Sequence, residues 1–298
     1  MNSNKREIPL VSAVITTHNR LDLLKRAINS VLGQTYANIE CIVVSDASED
    51  GTDDYCSKLP IKYISIPKSE SKGGNHARNL GILASKGKYV AFLDDDDYWM
   101  PSKIEKQVEL IETNDCELVH CGRTYEHICK NGEIKYENKL PKPEHYGDMR
   151  KKVLLSISTT TTNILAKRQA LIDVGMFDEN LSFWQEYELL IRLGQRKPFL
   201  CVMEPLTMYR VDEADNARLT NKYFEWKEAV RYIHQKHMAL YSKLNSLEKF
   251  GVKVLVWKDA ARRCLTAKLY PRFFIFGTGF ALGGSLLWFT RKVNILNA

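Results

Sequence analysis

The chain has 298 residues, enough for one large domain with an appendage, and its 44% hydrophobic and 27% charged residues are typical of a globular protein. Its net charge of +7 is uneven: the segment from Lys258 onward holds seven basic residues against one acid, Asp259, which suggests an acidic partner for that segment alone. The seven cysteines form no CxxC pair, and Pro9 interrupts the apolar stretch 8–15, so we expect no secreted disulfide framework, no signal peptide and a cytoplasmic location.

Apolar strands alternate with helical patterns through the first hundred residues. Leu21, Leu24 and Ile28 recur at helical spacing and Gly33 ends that helix. The predicted strands cover residues 10–16, 39–44, 61–66 and 88–93, and the predicted helices cover 21–32, a short stretch from 53 or 54, and 75–84. Four strands separated by helices predict a parallel sheet of βαβ units, in which ligands bind beyond the carboxyl ends of the strands.

Three polar clusters follow predicted strand ends, at residues 17–20, 45–46 and 94–97. The last of them is four adjacent aspartates, and two unit charges about 4 Å apart repel by roughly 1 kcal/mol even in water. A hard cation such as Mg²⁺ or Mn²⁺, sharing its coordination shell with a bound diphosphate, would neutralise them. A solvated acidic loop is the alternative, although such loops rarely follow a fully apolar strand.

Two features in the middle of the chain have competing interpretations. A cluster that invites a zinc interpretation comprises Cys116, His120, Cys121, His127 and Cys129. It contains no CxxC or HxxxH pair, and its alternation predicts a strand that ends in a hairpin turn at Asn131-Gly132. The run of hydroxyl residues at 158–163 could line a wall for an acceptor, but its β-branched composition predicts a strand.

The C-terminal segment is predicted to be helical. Residues 221–250 carry one apolar stripe and predict a long helix, and an apolar stretch follows at 273–289. Its length in a helix is about 26 Å, short of a hydrocarbon core of roughly 30 Å, which leaves a membrane span, a surface anchor and packing on the protein as alternatives. We expect peripheral attachment to the inner face of the cytoplasmic membrane, with Gly279 and Gly283 as a GxxxG pair for helix packing. Nucleic acid is not expected, because the basic residues flank an apolar block.

Four stretches in order resemble glycosyltransferase family 2, the inverting enzymes with the GT-A nucleotide-sugar fold. They read VSAVITTHNR, CIVVSDASEDGT, GGNHARNLGILASKGKYVAFLDDDDYW and GMFDENLSFWQEYELLIRL, within a match from about Leu10 to Tyr209. The resemblance implies an α/β fold, with a Rossmann-like, mostly parallel central sheet flanked by helices in a catalytic domain of residues 1–215. Residues 216–298 would form a helical extension. A bacterial surface-polysaccharide pathway is implied as well.

The resemblance also implies a donor site. Asp94-Asp95-Asp96 match the DXD motif, with Asp96 the expected metal ligand, Asp94 a second ligand nearer the ribose, and Asp97 holding the following loop. The other donor-binding residues implied are Thr17, Asn19, Arg20, Asp46 and Arg78. Asp46 falls where the family contacts the nucleobase, although Ser45 stands where a first acid is usual. Two simpler alternatives remain, since Asn19 could cap the helix that begins near Leu21 and Arg78 could pair with Asp94.

The general base of the family corresponds to Glu186, where an aspartate is usual and the carboxylate here sits one methylene farther out. Glu188 is a rival for this role, and both could instead be exposed helix residues. Gln185, Trp184 and Trp99 are candidates for the acceptor side, where the tryptophans could stack against sugar faces. Burial in the core is the commoner fate of a tryptophan.

The function implied is a metal-dependent inverting transfer of a sugar from a nucleotide-diphosphate sugar, with uridine the expected nucleoside. The acceptor would be a hydroxyl of a glycan or of a lipid-linked molecule. A nucleotidyltransferase is one alternative, but residues 16–20 lack the glycine-rich phosphate loop it would need. A catalytically inactive nucleotide-sugar binder is the other, because Glu186 departs from the usual aspartate.

Overall fold

The computed structural model describes residues 7–213 and 222–296, with side chains as far as Leu287. Its central element is one mixed sheet whose nine described strands follow the order β3-β2-β1-β4-β8-β6-β9-β5, with β7 paired to β6. The strands are β1 Val11–Thr17, β2 Ile39–Asp46, β3 Lys62–Ile66, β4 Tyr89–Asp94, β5 Tyr98–Trp99, β6 Leu118–Ile128, β7 Ile134–Lys139, β8 Leu165–Lys167 and β9 Phe199–Asp212.

Helices connect the strands and continue beyond the last one. Short 3-10 turns also lie at Lys68–Glu70, Pro143–His145 and Thr161–Asn163. The helices are α1 Leu21–Leu32, α2 Thr52–Cys56, α3 Gly74–Ala84, α4 Lys103–Glu112, α5 Lys152–Leu155, α6 Arg168–Asp173, α7 Gln185–Leu193, α8 Tyr223–Lys236, α9 Met238–Ser242, α10 Ser246–Thr266 and α11 Tyr270–Leu296.

The parallel half of the sheet confirms the prediction for the N-terminal half of the chain. Strands β3, β2, β1 and β4 are parallel neighbours, and the predicted helices α1, α2 and α3 lie between them in sequence. Thr17 pairs with Ser45, and Thr16 pairs with Asp94. This register brings the three polar clusters to one edge of the sheet, where the sequence placed them.

The other half of the sheet is antiparallel in part and was predicted less well. β8 runs antiparallel to both β4 and β6, and so joins the parallel half to the rest. The predicted hairpin is confirmed by the pairing of β6 with β7 around a turn at Gly132. The strand predicted at 158–163 is wrong, because this stretch ends in the 3-10 turn Thr161–Asn163 and the strand begins only at Leu165.

Alternate side chains of the same strands fill two apolar cores on opposite faces of the sheet. Val14 and Phe92 belong to one core, and Ile15 and Leu93 belong to the other. The first core also includes Trp226 of α8 and other residues of the C-terminal helices. The extension therefore packs on the sheet domain instead of standing apart from it.

The single long helix predicted over 221–250 is wrong; residue 221 itself lies outside the described residues. Within the described part, the chain breaks at His237 and again before Asn245. Asn245 accepts a hydrogen bond from the backbone N–H of Glu248, whose carboxylate accepts from the backbone N–H of Asn245, and this reciprocal cap begins α10. Local capping thus divided a continuous apolar stripe.

Helix α11 packs against α10 at the GxxxG pair. A Cβ added at Gly283 would lie 2.7 Å from Val254, and one added at Gly279 would lie 3.2 Å from Trp257, so both glycines permit close approach. The other face of α11 exposes Phe274, Ile275, Leu282 and Leu286. Among the described residues, none of the helices combines the length and the apolar character that crossing a bilayer requires.

Candidate active site

A cavity of about 1910 Å³ opens at the carboxyl edge of the parallel strands. Its walls come from strand ends, from α3, from the start of α7 and from α10. The predicted site residues that line it are Thr17, Arg20, Asp46, Arg78, Asp94, Asp95, Asp96, Trp184, Gln185 and Glu186. The fold therefore brings together residues that are up to 169 positions apart in the chain, leaving only Asn19 and Trp99 of the predicted set outside the lining.

Two arginines neutralise the aspartate cluster. Arg78 of α3 contacts the Asp94 carboxylate at 2.6 Å, as the simpler alternative for that residue predicted. Arg20 lies 3.3 Å from both Asp95 and Asp96. The mutual repulsion of the carboxylates is thus offset in the protein alone by groups that could equally contact a diphosphate.

The four aspartates differ in their surroundings. Asp94 and Asp96 are partly exposed to the cavity, whereas Asp95 and Asp97 are buried. Burial, followed by the charge of Asp96, raises the pKa of Asp95 to about 6. Burial, followed by the charges of Asp96 and Asp94, also raises the pKa of Asp97 well above the usual range.

Asp97 does not line the cavity but holds the segment around it. Its carboxylate accepts hydrogen bonds from the Thr162 hydroxyl at 2.7 Å and from the backbone N–H of Arg210 at 3.0 Å. The expected role of Asp97 in fixing the loop therefore agrees with its contacts, which join β4, the 3-10 turn and β9.

Asn19 does not cap α1: the N-cap residue is Arg20, and no side chain makes a capping hydrogen bond there. The carboxylate of Asp50 instead accepts a hydrogen bond from the backbone N–H of Leu21 at 2.8 Å. Asn19 joins two loops: its backbone N–H donates to the Ser48 hydroxyl at 3.0 Å, and its side-chain oxygen accepts from the backbone N–H of Glu49 at 2.7 Å. It positions the rim of the cavity without facing it.

Asp46 lies at the end of β2 and is buried. Its Oδ2 accepts a hydrogen bond from the backbone N–H of Gly73 at 2.9 Å. Its Oδ1 is buried with no hydrogen-bond partner among the described residues. A buried acceptor without a partner is costly, so this oxygen is suited to a donor group on a ligand.

Glu186 lies in the first turn of α7 and lines the cavity. Burial raises the pKa of its carboxyl above the ordinary value; the charge of Asp94 adds to this effect, and those of Arg78 and Arg123 oppose it. The carboxylate is therefore within electrostatic reach of the aspartate cluster. A carboxyl whose pKa is raised is a stronger base when ionised.

Glu188 was the rival base, and the structure places it elsewhere. Its side chain is fully buried outside the cavity lining. It accepts from Arg192 at 2.6 Å, from Lys236 at 2.9 Å and from His237 at 2.9 Å. Glu188 is thus the centre of an ion cluster between α7 and α8, and it does not face a substrate.

The two tryptophans are core residues. The Trp99 indole N–H donates to the Thr162 carbonyl at 3.0 Å, and the ring is absent from the cavity wall. Trp184 is only 7% exposed and packs edge-on against Tyr187 and Trp226. Because packing in the core buries the side chains of both tryptophans, a sugar could contact the rim of Trp184 but could not stack on its face.

The family model described as glycosyl transferase family 2 matches residues 12–175, more than half of the chain. The chain belongs to glycosyl transferase family 2. The WfaP protein of Escherichia coli, named a UDP-Glc:alpha-D-GlcNAc-diphosphoundecaprenol beta-1,3-glucosyltransferase, is 37% identical over 151 residues, which are 50% of this chain and 59% of WfaP. An uncharacterized glycosyltransferase of Rickettsia typhi is 31% identical over 230 residues, 74% of this chain and 70% of that protein.

Solved structures show the GT-A fold of this glycosyltransferase. TarS 1-349 of S. aureus, in complex with UDP-GlcNAc, superimposes with a TM-score of 0.61 at 15% identity, over 92% of this chain and 81% of TarS 1-349. The mannosyltransferase PcManGT of Pyrobaculum calidifontis, in complex with GDP-Man and Mn²⁺, gives 0.56 at 16% identity, over 93% and 81%. Family membership removes the nucleotidyltransferase alternative.

The sequence reasoning missed a contribution of the C-terminal helices to the cavity of this glycosyltransferase. Asp259 of α10 accepts hydrogen bonds from the Trp184 indole N–H and from Arg263, both at 3.0 Å. Trp184 has a positive φ of 54° and directly precedes α7, so this contact holds an uncommon backbone conformation two residues before Glu186. The one signal in the sequence was a single acid, Asp259, in an otherwise basic segment.

Proposed function

We propose that this glycosyltransferase moves a sugar from a nucleotide-diphosphate sugar to a hydroxyl of a glycan or lipid-linked acceptor, with inversion and with Mg²⁺ or Mn²⁺. One observation carries the proposal: the aspartates 94–96 and Glu186 line the same cavity at the carboxyl edge of the parallel strands. A metal-bound diphosphate at these aspartates would lie within electrostatic reach of a candidate base.

The donor would occupy the end of the cavity formed by β1, β2, α3 and β4. The unpartnered Oδ1 of Asp46 would accept a hydrogen bond from the nucleobase, and the imide N–H of uracil is a suitable donor. We therefore propose a uridine nucleotide, which agrees with the UDP-GlcNAc bound by TarS. Thr17, Arg20 and Arg78 line the same end and would contact the ribose and phosphates.

The aspartate cluster suits a divalent cation that shares its ligands with a diphosphate. No three acidic, histidine or cysteine side chains in the described part of the chain converge closely enough to hold a metal alone. Mg²⁺ and Mn²⁺ sites of nucleotide enzymes use one or two carboxylates and complete the shell with phosphate and water. Asp96 and Asp94, the two partly exposed carboxylates, would be the ligands, and the cation would stabilise negative charge on the departing diphosphate.

The residues of the chain would do the remaining chemistry. Glu186 accepts the proton of the acceptor hydroxyl, and that oxygen attacks the anomeric carbon from the side opposite the diphosphate. The bond to the diphosphate breaks, so configuration is inverted. Arg20 and Arg78, which now contact the aspartates, would turn part of their hydrogen bonding to the phosphate oxygens. Gln185 lies beside the base and would orient the acceptor.

We further propose that the protein works at the inner surface of the cytoplasmic membrane. The support is the exposed apolar stripe of α11, formed by Phe274, Ile275, Leu282 and Leu286. Apolar side chains on one face of a helix can enter the boundary between headgroups and acyl chains without spanning the bilayer. WfaP, one of the similar proteins, has a name that specifies a lipid-diphosphate acceptor.

Calorimetric titration with nucleoside diphosphates, with and without Mn²⁺, tests this function. We expect one nucleotide to bind in a metal-dependent manner, and Asp96→Ala to weaken that binding at least tenfold. Glu186→Gln should bind the donor normally yet transfer more than a hundredfold more slowly, since general base catalysis contributes about 10²–10⁴-fold. Asp22→Ala, which removes an exposed acid of α1, is the matched control. Binding that ignores both metal and Asp96→Ala would overturn the donor site.

A further inference from the structure

Five cations line the cavity without an ion-pair partner among the described residues: Arg123, Lys130, Lys142, Lys258 and Lys268. Three of them form the cluster considered below: Arg123 on β6, Lys142 just before the 3-10 turn Pro143–His145, and Lys258 on α10. Among the described residues, no carboxylate oxygen lies within 4.0 Å of their charged nitrogens. The arginines near the aspartates differ, because Arg20 and Arg78 each pair with a carboxylate. The chain therefore supplies an excess of positive charge at one part of the cavity.

The three cations come from different elements but line the same cavity. All three act on one ring: burial lowers the pKa of His145, and the charges of Lys142, Arg123 and Lys258 lower it further against the opposing charge of Glu144. Arg123 donates to the Thr160 hydroxyl at 2.8 Å, but its Nε is buried with no hydrogen-bond partner among the described residues. An unused guanidinium donor beside two lysines is suited to an oxyanion.

Glu186 is influenced by this cluster as well as by the aspartates, because the charges of both Arg123 and Asp94 affect the pKa of its carboxyl. Glu186 feels the charge of Arg78, which contacts Asp94, and also that of Arg123. The proposed base is therefore within electrostatic reach of the donor end of the cavity and of one cation of this cluster. A second anionic group, belonging to the acceptor, would complement the cations without competing with the donor.

An apolar wall adjoins the cluster. Leu255 of α10, and Phe280 and Leu287 of α11, line the same cavity. The Lys258 ammonium lies 6.0 Å from the centre of the Phe280 ring. The other face of α11 presents the exposed apolar stripe to solvent. A cationic site beside an apolar wall is complementary to a phosphate that carries a lipid chain.

We propose that Arg123, Lys142 and Lys258 bind the phosphate or diphosphate that joins the acceptor sugar to its lipid. The lipid would leave the cavity along α10 and α11, and the acceptor sugar would extend from the phosphate to Glu186. This inference rests on the proposed function. It assigns Lys258, a residue of the basic C-terminal segment, to the binding of the acceptor, whereas the sequence suggested that this segment is attracted to membrane headgroups in general.

Equilibrium binding of a short prenyl diphosphate, measured by calorimetry without nucleotide or metal, tests the site directly. We expect Lys258→Gln and Lys142→Gln each to weaken binding about tenfold, because each loses a charge-assisted hydrogen bond. Lys253→Gln is the matched control, since Lys253 is exposed on the same helix and does not line the cavity. Binding that is equal in all four proteins, or lost equally in the control, would overturn the inference.

Transfer assays separate this inference from the proposed function. With one acceptor sugar presented either as a lipid diphosphate or as a neutral alkyl glycoside, Lys258→Gln should raise KM about tenfold for the first and leave the second unchanged. An equal change for both acceptors would overturn the phosphate site while leaving the transferase function intact. Diphosphate binding that depends on Lys258, in a protein that transfers sugar to neither acceptor, would support the site and refute the proposed function.

Vesicle binding distinguishes the acceptor phosphate from a membrane headgroup. Cosedimentation with phosphatidylglycerol vesicles should be the same for the wild type and for Lys258→Gln, because the proposed membrane contact is the apolar stripe of α11. If the variant lost vesicle binding as strongly as it lost prenyl diphosphate binding, Lys258 would serve the lipid surface and the inference would be wrong.

Discussion

Replacing Glu188 by glutamine should destabilise the protein without removing a catalytic group. The Glu188 carboxylate is fully buried and contacts Arg192, Lys236 and His237. Despite burial, which opposes this effect, hydrogen bonds from His237 and Arg192 lower its pKa from 4.5 to about 2. Glutamine keeps the shape of the side chain, but it leaves Arg192 without its counter-charge and leaves Lys236 with Asp178 alone.

Two arguments give the same magnitude. A pKa lowered from 4.5 to about 2 corresponds to about 3 kcal/mol of stability at neutral pH. Removing one partner of a buried ion pair typically costs about 3–5 kcal/mol. Because the folded-state pKa is depressed, this stability is fully present above pH 4.5 and is lost as pH falls through that value toward about 2.

Urea unfolding of the wild type and of Glu188→Gln, followed by circular dichroism from pH 7 down to pH 3, measures the effect. We expect a difference of about 3 kcal/mol in the free energy of unfolding at pH 7, shrinking as pH falls. Glu228→Gln is the control, since its pair with Arg231 is exposed and should contribute less than about 1 kcal/mol. A Glu188→Gln protein as stable as the wild type at pH 7 would refute the reasoning.

Three further predictions concern activity and membrane contact. Because the pKa of Glu186 is raised, kcat should fall on the acid side at a higher pH than it would with an unperturbed glutamate as base. A pH–rate profile in which kcat falls only near the pKa of an unperturbed glutamate would contradict its role as base. Asp259→Ala removes the hydrogen-bond acceptor of the Trp184 indole and should lower kcat about tenfold or more. Donor affinity, measured by calorimetry, should change little. Asp259→Asn can still accept that hydrogen bond and should recover part of the rate. Phe274→Glu combined with Leu282→Glu should reduce cosedimentation with vesicles severalfold and leave transfer to a soluble acceptor unchanged; unaltered vesicle binding would argue against attachment through α11.

The N-terminal half could be predicted because its signals are local. Apolar runs fix the strands β1 to β4, and the spacing of Leu24 and Ile28 fixes α1, since each pattern reports burial on one face of one element. Parallel pairing then places all strand ends at one edge. The pair between Arg78 and Asp94 followed from the same geometry, because Asp94 ends β4 at that edge and Arg78 lies in the first half of α3, whose start lines the cavity there.

Residues whose roles depend on distant partners could not be assigned in this way. Glu186 and Glu188 are two positions apart on one helix, and only the packing of α8 showed that Glu188 is enclosed by Lys236 and His237. Trp99 and Trp184 read equally well as sugar platforms or as core residues until their neighbours were known. The break of the long C-terminal helix at Asn245 depended on a cap whose signal was weaker than the apolar stripe around it.

The sequence by itself determined the family, the parallel sheet and the edge at which the aspartates lie, because motif spacing and hydrophobic period are properties of short segments. Tertiary structure decided the polar contacts that no local pattern predicts. It paired Asp259 with Trp184 across 75 residues, and it turned Lys258 toward the cavity, where the sequence suggested only a basic tail. Charge interactions depend on distances through space, and packing of the apolar faces of α8 and α10 sets those distances.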